Sequence, residues 1–395
     1  MRKNMLHITA FLSFMLITGL LAGSIGACST AVRNGTSFPH EAKAVEAGED
    51  MDMIEKILIP KNALNLKYAY PMPEKAYAYK ASEEPAAWQA KCRKKLAELI
   101  ACDLDFKAKK IEIHHTTAIA NGKVISLIMH VNDALSIPAY LFVPDEIKHK
   151  TPVIAIQGHG YVKGVLGIQN DYHHGFGLQL FRAGSVVLIP EIRAFGDLVD
   201  LAAFDDARRL VYYNWGEVMA YTLVTDAFIK GHTLIGETVQ DLIAWRSYLL
   251  EYSGQDSYAV AGISYGGDLA LILAALDNRA TKTFASGTLG SMNPIFEKCY
   301  NAPAHCIPNI LKYMDRQEVA SCIAPRSLRV HYGELDVPSA ENSSAAYNET
   351  AKPAYNAVKK FYALFNADDN IQLIISPGMK HEMDNAALIH YMRNQ

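Results

Sequence analysis

Between Lys109 and Val143 the apolar residues come in three short runs, IEIHHTTAIA, VISLIMHV and IPAYLFVP, separated by Asn121-Gly122 and Asn132-Asp133. Dipeptides of this kind between strand-like runs are turn signals, so the pattern predicts consecutive antiparallel strands. His114 and His115, neighbours on the first run, are expected on opposite faces of a strand and therefore cannot chelate together. Both read as structural. After Val143 the pattern changes to continuous apolar runs alternating with helical periodicity. Strands are expected at 152–156, 186–189, from Tyr258, and at 282–286, 328–332 and 371–375, with helices near 177–183 and 233–250. Buried strands alternating with helices predict an α/β fold, with a mostly parallel sheet covered on both faces. In such sheets ligands meet the carboxyl ends of the strands.

Upstream, Glu84-Pro85 opens a helix to about Ile100, with Trp88, Cys92, Leu96 and Leu99 on the face expected to pack against the body. The Pro- and Tyr-rich stretch 68–79 predicts an extended segment laid across a surface. Residues 29–65 are polar with little periodicity and read as a tether. The expected organisation is a targeting segment at 1–28, the tether at 29–65, and a body at 66–395 whose first part, 66–108, is an N-terminal helical extension.

The chain starts Met1-Arg2-Lys3, continues with an apolar run softened by Thr9, Ser13, Thr18 and Gly19, and reaches small residues before Cys28. That is the layout of a secretory signal. Ile25-Gly26-Ala27-Cys28 also resembles a bacterial lipobox, in which Cys28 is lipidated and becomes the mature N-terminus. An unlipidated secreted protein and an uncleaved anchor are the alternatives, although the run is only marginally long enough to span a bilayer. The expectation is export, with a lipid anchor facing a periplasm or the cell surface. Export would permit a Cys299–Cys306 disulfide; buried free thiols are the competing reading of the cysteines after Cys28. No spacing suggests a zinc site.

Composition changes this picture little. Of 395 residues 50% are hydrophobic and 20% charged, with a formal net charge of -3. That is ordinary globular composition, with no basic stripe to suggest a nucleic-acid partner.

The candidate chemistry begins at Gly262-Ile263-Ser264-Tyr265-Gly266, which matches G-x-S-x-G. In the nucleophile elbow a sharp strand-to-helix turn exposes a serine hydroxyl above a sheet. Chance supplies this pattern roughly 0.1 times in a chain of this length, so the flanking strand and helix matter. A serine nucleophile needs a base and a carboxylate that holds the base in one tautomer. Asp336 follows the strand at 328–332, with Glu334 as the fallback, and His381 follows the strand at 371–375. Their order after Ser264 is the one this kind of fold requires. Oxyanion donors are expected from the amide of Tyr265 and from the amide of His159 in the loop Gln157-Gly158-His159-Gly160-Tyr161. The loop 190–197 could bind substrate, but an internal Arg–carboxylate clasp holding it is the favoured expectation. Trp215, Met292, Phe296, Tyr300 and His305 are candidates for an acyl or sugar pocket, although each alone reads more readily as core or cap packing.

The segments QGHG, DYHHGFGLQLFRAGSVVLIPEIRAFGD, AGISYGGDLAL, LKYMDRQEVASCIAPRSLRVHYGELD and SPGMKHEM resemble the α/β-hydrolase superfamily, in its dienelactone-hydrolase and acetyl xylan esterase-like branch. The resemblance spans Trp88 to His390. It implies an eight-stranded sheet and a serine esterase without cofactor or metal, with Ser264, Asp336, His381 and the two amides in the roles given above. The chain departs from the family pattern at Gln157, where His is usual, at Glu191, where Asp is usual, and at Ala194, where Gly is usual. A dienelactone hydrolase proper would use cysteine as nucleophile, so serine points to ester chemistry.

The expected function is an exported carboxylic-ester hydrolase acting on short acyl esters or acetylated carbohydrate. A serine peptidase of the prolyl-oligopeptidase type is one alternative; such enzymes gate the site with a large β domain, and the stretch before Lys109 is too short for one. A non-catalytic binding protein on the same fold is the other.

Overall fold

The computed structural model describes residues 72–196, 198, 216–293, 303–337 and 349–393, together with Leu58. The chain divides into two units, 1–67 and 68–395, and every helix and strand named below belongs to the second. The expected signal segment with Cys28, the tether apart from Leu58, Trp215, Phe296, Cys299 and Tyr300 lie outside the described residues.

Helix α1, Pro85–Ile100, starts where the sequence predicts, because the Glu84 carboxylate accepts from the amides of Ala86 and Ala87. Its buried face is Trp88, Cys92, Leu96 and Ile100, an i, i+4 series. Ile100, rather than the expected Leu99, completes it. Residues 76–77 lie along 312–313 through backbone hydrogen bonds, and Trp88 Nε1 donates to the carbonyl of Tyr77.

The antiparallel part is β1 (Lys110–Ile119), β2 (Gly122–His130) and β3 (Ser136–Pro144). The β1–β2 register shifts between Ile113 and His115. His114 therefore sits at a bulge, and the simple alternation expected for the two histidines does not hold there. Both are exposed.

The chain continues through β4 (His149–Ile156), the short helices α2 (Val162–Val165) and α3 (Phe176–Arg182), and β5 (Ser185–Pro190). Helices α4 (Gly216–Ile229) and α5 (Leu234–Ser253) lead to β6 (Tyr258–Ile263) and α6 (Tyr265–Leu276). After β7 (Ala280–Ser286) come α7 (Arg316–Ser321), β8 (Ser327–Gly333), α8 (Ala351–Ala363), β9 (Ile371–Ser376) and α9 (Asn385–Arg393).

The nine strands form one sheet in the order β1-β2-β3-β5-β4-β6-β7-β8-β9. Pairings from β5 through β9 are parallel; β1, β2 and β3 are joined antiparallel. The family resemblance implied eight strands. The difference lies in the antiparallel edge, where the Asn121-Gly122 turn keeps β1 paired to β2 along its whole length.

Alternation along β6 explains the two apolar layers. Tyr258 and Val260 join the layer that holds Trp88, Trp245 and Leu269, whereas Ala259, Ala261 and Ile263 join Phe176, Leu180 and Tyr391 on the other face. Every residue of α6 from Tyr265 to Ala275 is buried. A helix buried on every side and apolar but for Asp268 belongs in the middle of a layer, and α6 is held there beneath the carboxyl ends of β4, β6 and β7.

Candidate active site

Ser264 is the single residue between β6 and α6, and its backbone is at φ 58, ψ −122. A non-glycine residue in this region carries strain of about 1–3 kcal/mol and persists only where its surroundings fix it. Here they do. A Cβ on Gly262 would fall 2.1 Å from the carbonyl oxygen of Gly266, and one on Gly266 would fall 2.3 Å from those of Ile156 and Gln157. Both motif glycines are thus dictated by backbone contact. The Ser264 amide donates to the carbonyl of Ser286, tying the elbow to the end of β7.

Asp336 and His381 follow β8 and β9, which are neighbours in the sheet. His381 Nδ1 lies 2.9 Å from Asp336 Oδ2. With Nδ1–H donating to the carboxylate, Nε2 is left as the basic nitrogen. That Nε2 is buried and makes no hydrogen bond among the described residues. The ring rests on Gly287, just after β7: a Cβ there would fall 2.7 Å from His381 Cε1. Glu334, the fallback acid, is exposed, and its Oε2 accepts from the amide of Gly378 at 2.9 Å. It staples the two loops together while Asp336 bonds the histidine.

The loop after β4 meets the elbow directly. A Cβ on Gly158 would be 2.7 Å from the Ile263 carbonyl oxygen and 3.0 Å from Ser264 Cβ. His159 follows, with its ring among Phe195, Tyr265 and His305. Burial, and next the neighbouring His305, push this imidazole down to about 3, so it is neutral at physiological pH. The Tyr265 amide is the first N–H of α6, a group with no acceptor inside its own helix. Gln157 is fully buried, with Nε2 3.3 Å from the Gly160 carbonyl oxygen and Oε1 unsatisfied among the described residues.

Behind the elbow lies a buried ionic cluster. Asp268, the one charged residue of α6, accepts from Arg316 Nε at 2.6 Å and from Arg316 Nη2, Thr288 Oγ1 and His305 Nδ1. Burial pushes the carboxyl of Asp268 up, but Arg316 and His305 outweigh it and hold the group well below the usual carboxylate range. His305, a pocket candidate by sequence, therefore serves as a bridge between this cluster and the rings of His159 and Tyr265.

The clasp expected inside the loop 190–197 reaches elsewhere. Arg193 pairs bidentately with Asp241, at 2.6 and 3.0 Å, and also with Glu237, both on α5. Ala194 takes φ 71, a left-handed conformation that accounts for glycine being usual at this place in the resembled family. Met292 is buried, and its amide donates to Asp315. Cys306 is a free thiol, as are Cys92, Cys102 and Cys322. Among the described residues no cluster of His, Cys, Asp and Glu could hold a metal ion.

Sequence reasoning passed over Asp171, Tyr172, His173, Asp268 and Arg316. Asp268 had a signal, a lone charge in the apolar run YGGDLALILAAL; the others had none beyond the doubled histidine after Asp171-Tyr172.

By sequence, no protein family matches this chain and no curated protein matches it. By structure it is similar to a protein of Bacteroides fragilis assigned as an acetyl xylan esterase, with TM-score 0.61 and 16% identity over 76% of this chain and 78% of that one. It is similar to a glucuronoyl esterase from Solibacter usitatus, with TM-score 0.54 and 13% identity over 82% and 97% of the two chains. A methylesterase aligns with TM-score 0.53 and 16% identity over 79% of this chain and 64% of its own. The fold is that of the α/β-hydrolases.

Proposed function

We propose that the chain is a serine hydrolase of carboxylic esters, with Ser264 as nucleophile, His381 as general base and then acid, and Asp336 as the carboxylate that orients the histidine. The observation that carries the reading is the Asp336–His381 hydrogen bond, formed across two adjacent strand ends beside a strained serine elbow. The chemistry follows from those atoms. His381 Nε2 takes the proton of Ser264 Oγ as the oxygen attacks the ester carbonyl, and Asp336 stabilises the imidazolium that forms. The amides of Tyr265 and His159 receive the oxyanion. His381 returns the proton to the departing alcohol, and a water activated by the same nitrogen releases the acid.

The structural neighbours are named as an acetyl xylan esterase, a glucuronoyl esterase and a methylesterase. They support a carbohydrate ester with a small acyl or alkoxy part as substrate. The basic start, the apolar run and the lipobox-like Ile25-Gly26-Ala27-Cys28 support export and lipid anchoring, which would put the enzyme where such polysaccharides are met. Turnover of p-nitrophenyl acetate, butyrate and octanoate beside acetylated xylan tests the reading. Rates that fall with acyl length, and are lost in Ser264→Ala, are expected. Full activity of Ser264→Ala would remove the nucleophile assignment, and cleavage of peptide amides in preference to esters would move the chain to the peptidases.

A further inference from the structure

The loop that carries the His159 amide is gripped from one side by three consecutive residues that the proposed mechanism does not use. His173 is fully buried, and its Nδ1 lies 2.9 Å from Asp171 Oδ1. Its Nε2 accepts from the amide of Gly158 at 2.9 Å. Since a backbone amide can only donate, Nε2 holds a lone pair and the ring proton sits on Nδ1, against the aspartate. Asp171 Oδ1 also accepts the His173 amide at 3.0 Å, and a Cβ on Gly164 would fall 2.3 Å from Asp171 Oδ2, so this carboxylate fits only beside glycine. Tyr172 Oη donates to the carbonyl of His159 at 2.7 Å.

These two contacts flank one peptide unit. Gly158 N–H, on the peptide before it, is fixed by His173; His159 C=O, on the peptide after it, is fixed by Tyr172. The unit between them carries the His159 N–H and passes beside Ser264 Cβ. The same residues grip the base: the carbonyl of Tyr172 accepts from the Met383 amide at 2.9 Å, and the rings of Tyr172 and His381 are 5.6 Å apart. His174 extends the grip, with Nε2 2.6 Å from Glu382 Oε2 and its carbonyl accepting from Asn385 Nδ2.

We infer that Asp171, Tyr172 and His173 are positioning residues: a bracket that aims the His159 amide at the oxyanion and keeps that amide in register with His381. The inference rests on the esterase reading for its catalytic consequence, but the bracket itself is a statement about the loop. His173 acts as a fixed acceptor, its tautomer set by the hydrogen bond that Nδ1 donates to Asp171.

Three variants of the full chain test it. His173→Phe keeps the ring volume and removes the acceptor; kcat on p-nitrophenyl acetate is expected to fall about 10²–10³-fold, the effect of losing one oxyanion donor, with KM within about threefold. His173→Gln, whose Oε1 can reach the Gly158 amide, is expected to recover at least a tenfold share of that loss. Tyr172→Phe removes one oxygen and is expected to lower kcat about tenfold or more; it reads the same loop if His173→Phe fails to fold. Hydrogen exchange of the peptide spanning 157–160 is measured alongside and is expected to rise at least tenfold in both Phe variants. Wild-type kcat in either folded Phe variant, or unchanged exchange, overturns the inference. A wild-type chain that turns over no ester defeats the functional reading instead, and the exchange arm still decides the bracket.

Discussion

His381 Nδ1 and Asp336 Oδ2 stand 2.9 Å apart although 45 residues separate them, because parallel pairing of β8 with β9 brings the two loops to one edge. The aspartate is buried and the histidine partly so, with side-chain exposures of 1% and 15%. A carboxylate this enclosed, bonded to Nδ1, favours the imidazole proton on that nitrogen. Asp336→Asn is expected to lower kcat by about 10³–10⁴-fold with little change in KM, through loss of the productive tautomer. Steady-state kinetics at saturating ester checks this. A negligible effect there, together with a large one in Glu334→Gln, would transfer the role to Glu334.

Gly287 tests the seat of the histidine from the other side. Its φ of 59 is left-handed, and a Cβ would fall 2.7 Å from His381 Cε1. Gly287→Ala is expected to cost about 1–2 kcal/mol of stability from the backbone alone, and to lower kcat at least tenfold by displacing the ring. Thermal melts and kinetics on one preparation separate the two effects. Unchanged kcat would mean that the ring has room to move.

The Asp268–Arg316 pair is buried on both sides, with each side chain 4% exposed. Arg316→Met leaves the buried Asp268 carboxylate with Thr288 and His305 but no guanidinium, and is expected to destabilise by up to about 3–5 kcal/mol. Adding Asp268→Asn to it is expected to restore much of that, a coupling read from urea unfolding of the two single variants and the double. Additive losses would show that the pair contributes little as a pair.

His331 sits among Ser286, Ser376 and Asp384 beneath the loops that carry the site. Its Nδ1 is 2.8 Å from Ser286 Oγ, its Nε2 is 3.1 Å from Ser376 Oγ, and Ser376 in turn donates to Asp384. Burial pushes the imidazole down to about 4 from 6.5. The folded chain thus favours the neutral ring: its contribution is complete above pH 6.5 and is lost as pH falls towards 4, at most about 3 kcal/mol. Melting temperature is expected to drop on acidification through this window, and more steeply for the wild type than for His331→Gln. Equal slopes would contradict the assignment.

One physical division separates the features the sequence revealed from those it hid. Strands, turns and the elbow are written in local periodicity and in glycines that backbone contacts demand, so Gly262, Ser264 and Gly266 were legible before any fold was known. Asp336 and His381 were legible because each follows a strand end in the right order. Contacts between elements were not. Arg193 finds Asp241 48 residues away, and Arg316 finds Asp268 at the same separation; no local pattern encodes either. His173 was hidden for another reason: its partner, Gly158, presents only a backbone amide, which every non-proline residue has. The ninth strand was present in the apolar runs themselves, and the family resemblance drew the count down to eight.

The central claim is that Ser264 Oγ is the atom activated by the Asp336–His381 pair. Its most direct measurement is intact and peptide mass spectrometry of the full chain after treatment with a fluorophosphonate. The account predicts one phosphonyl group per chain, located on Ser264, formed rapidly in the wild type and absent from Ser264→Ala, with labelling in His381→Gln slowed at least a hundredfold. A wild-type chain that stays unlabelled, or a label on any other residue, would contradict it.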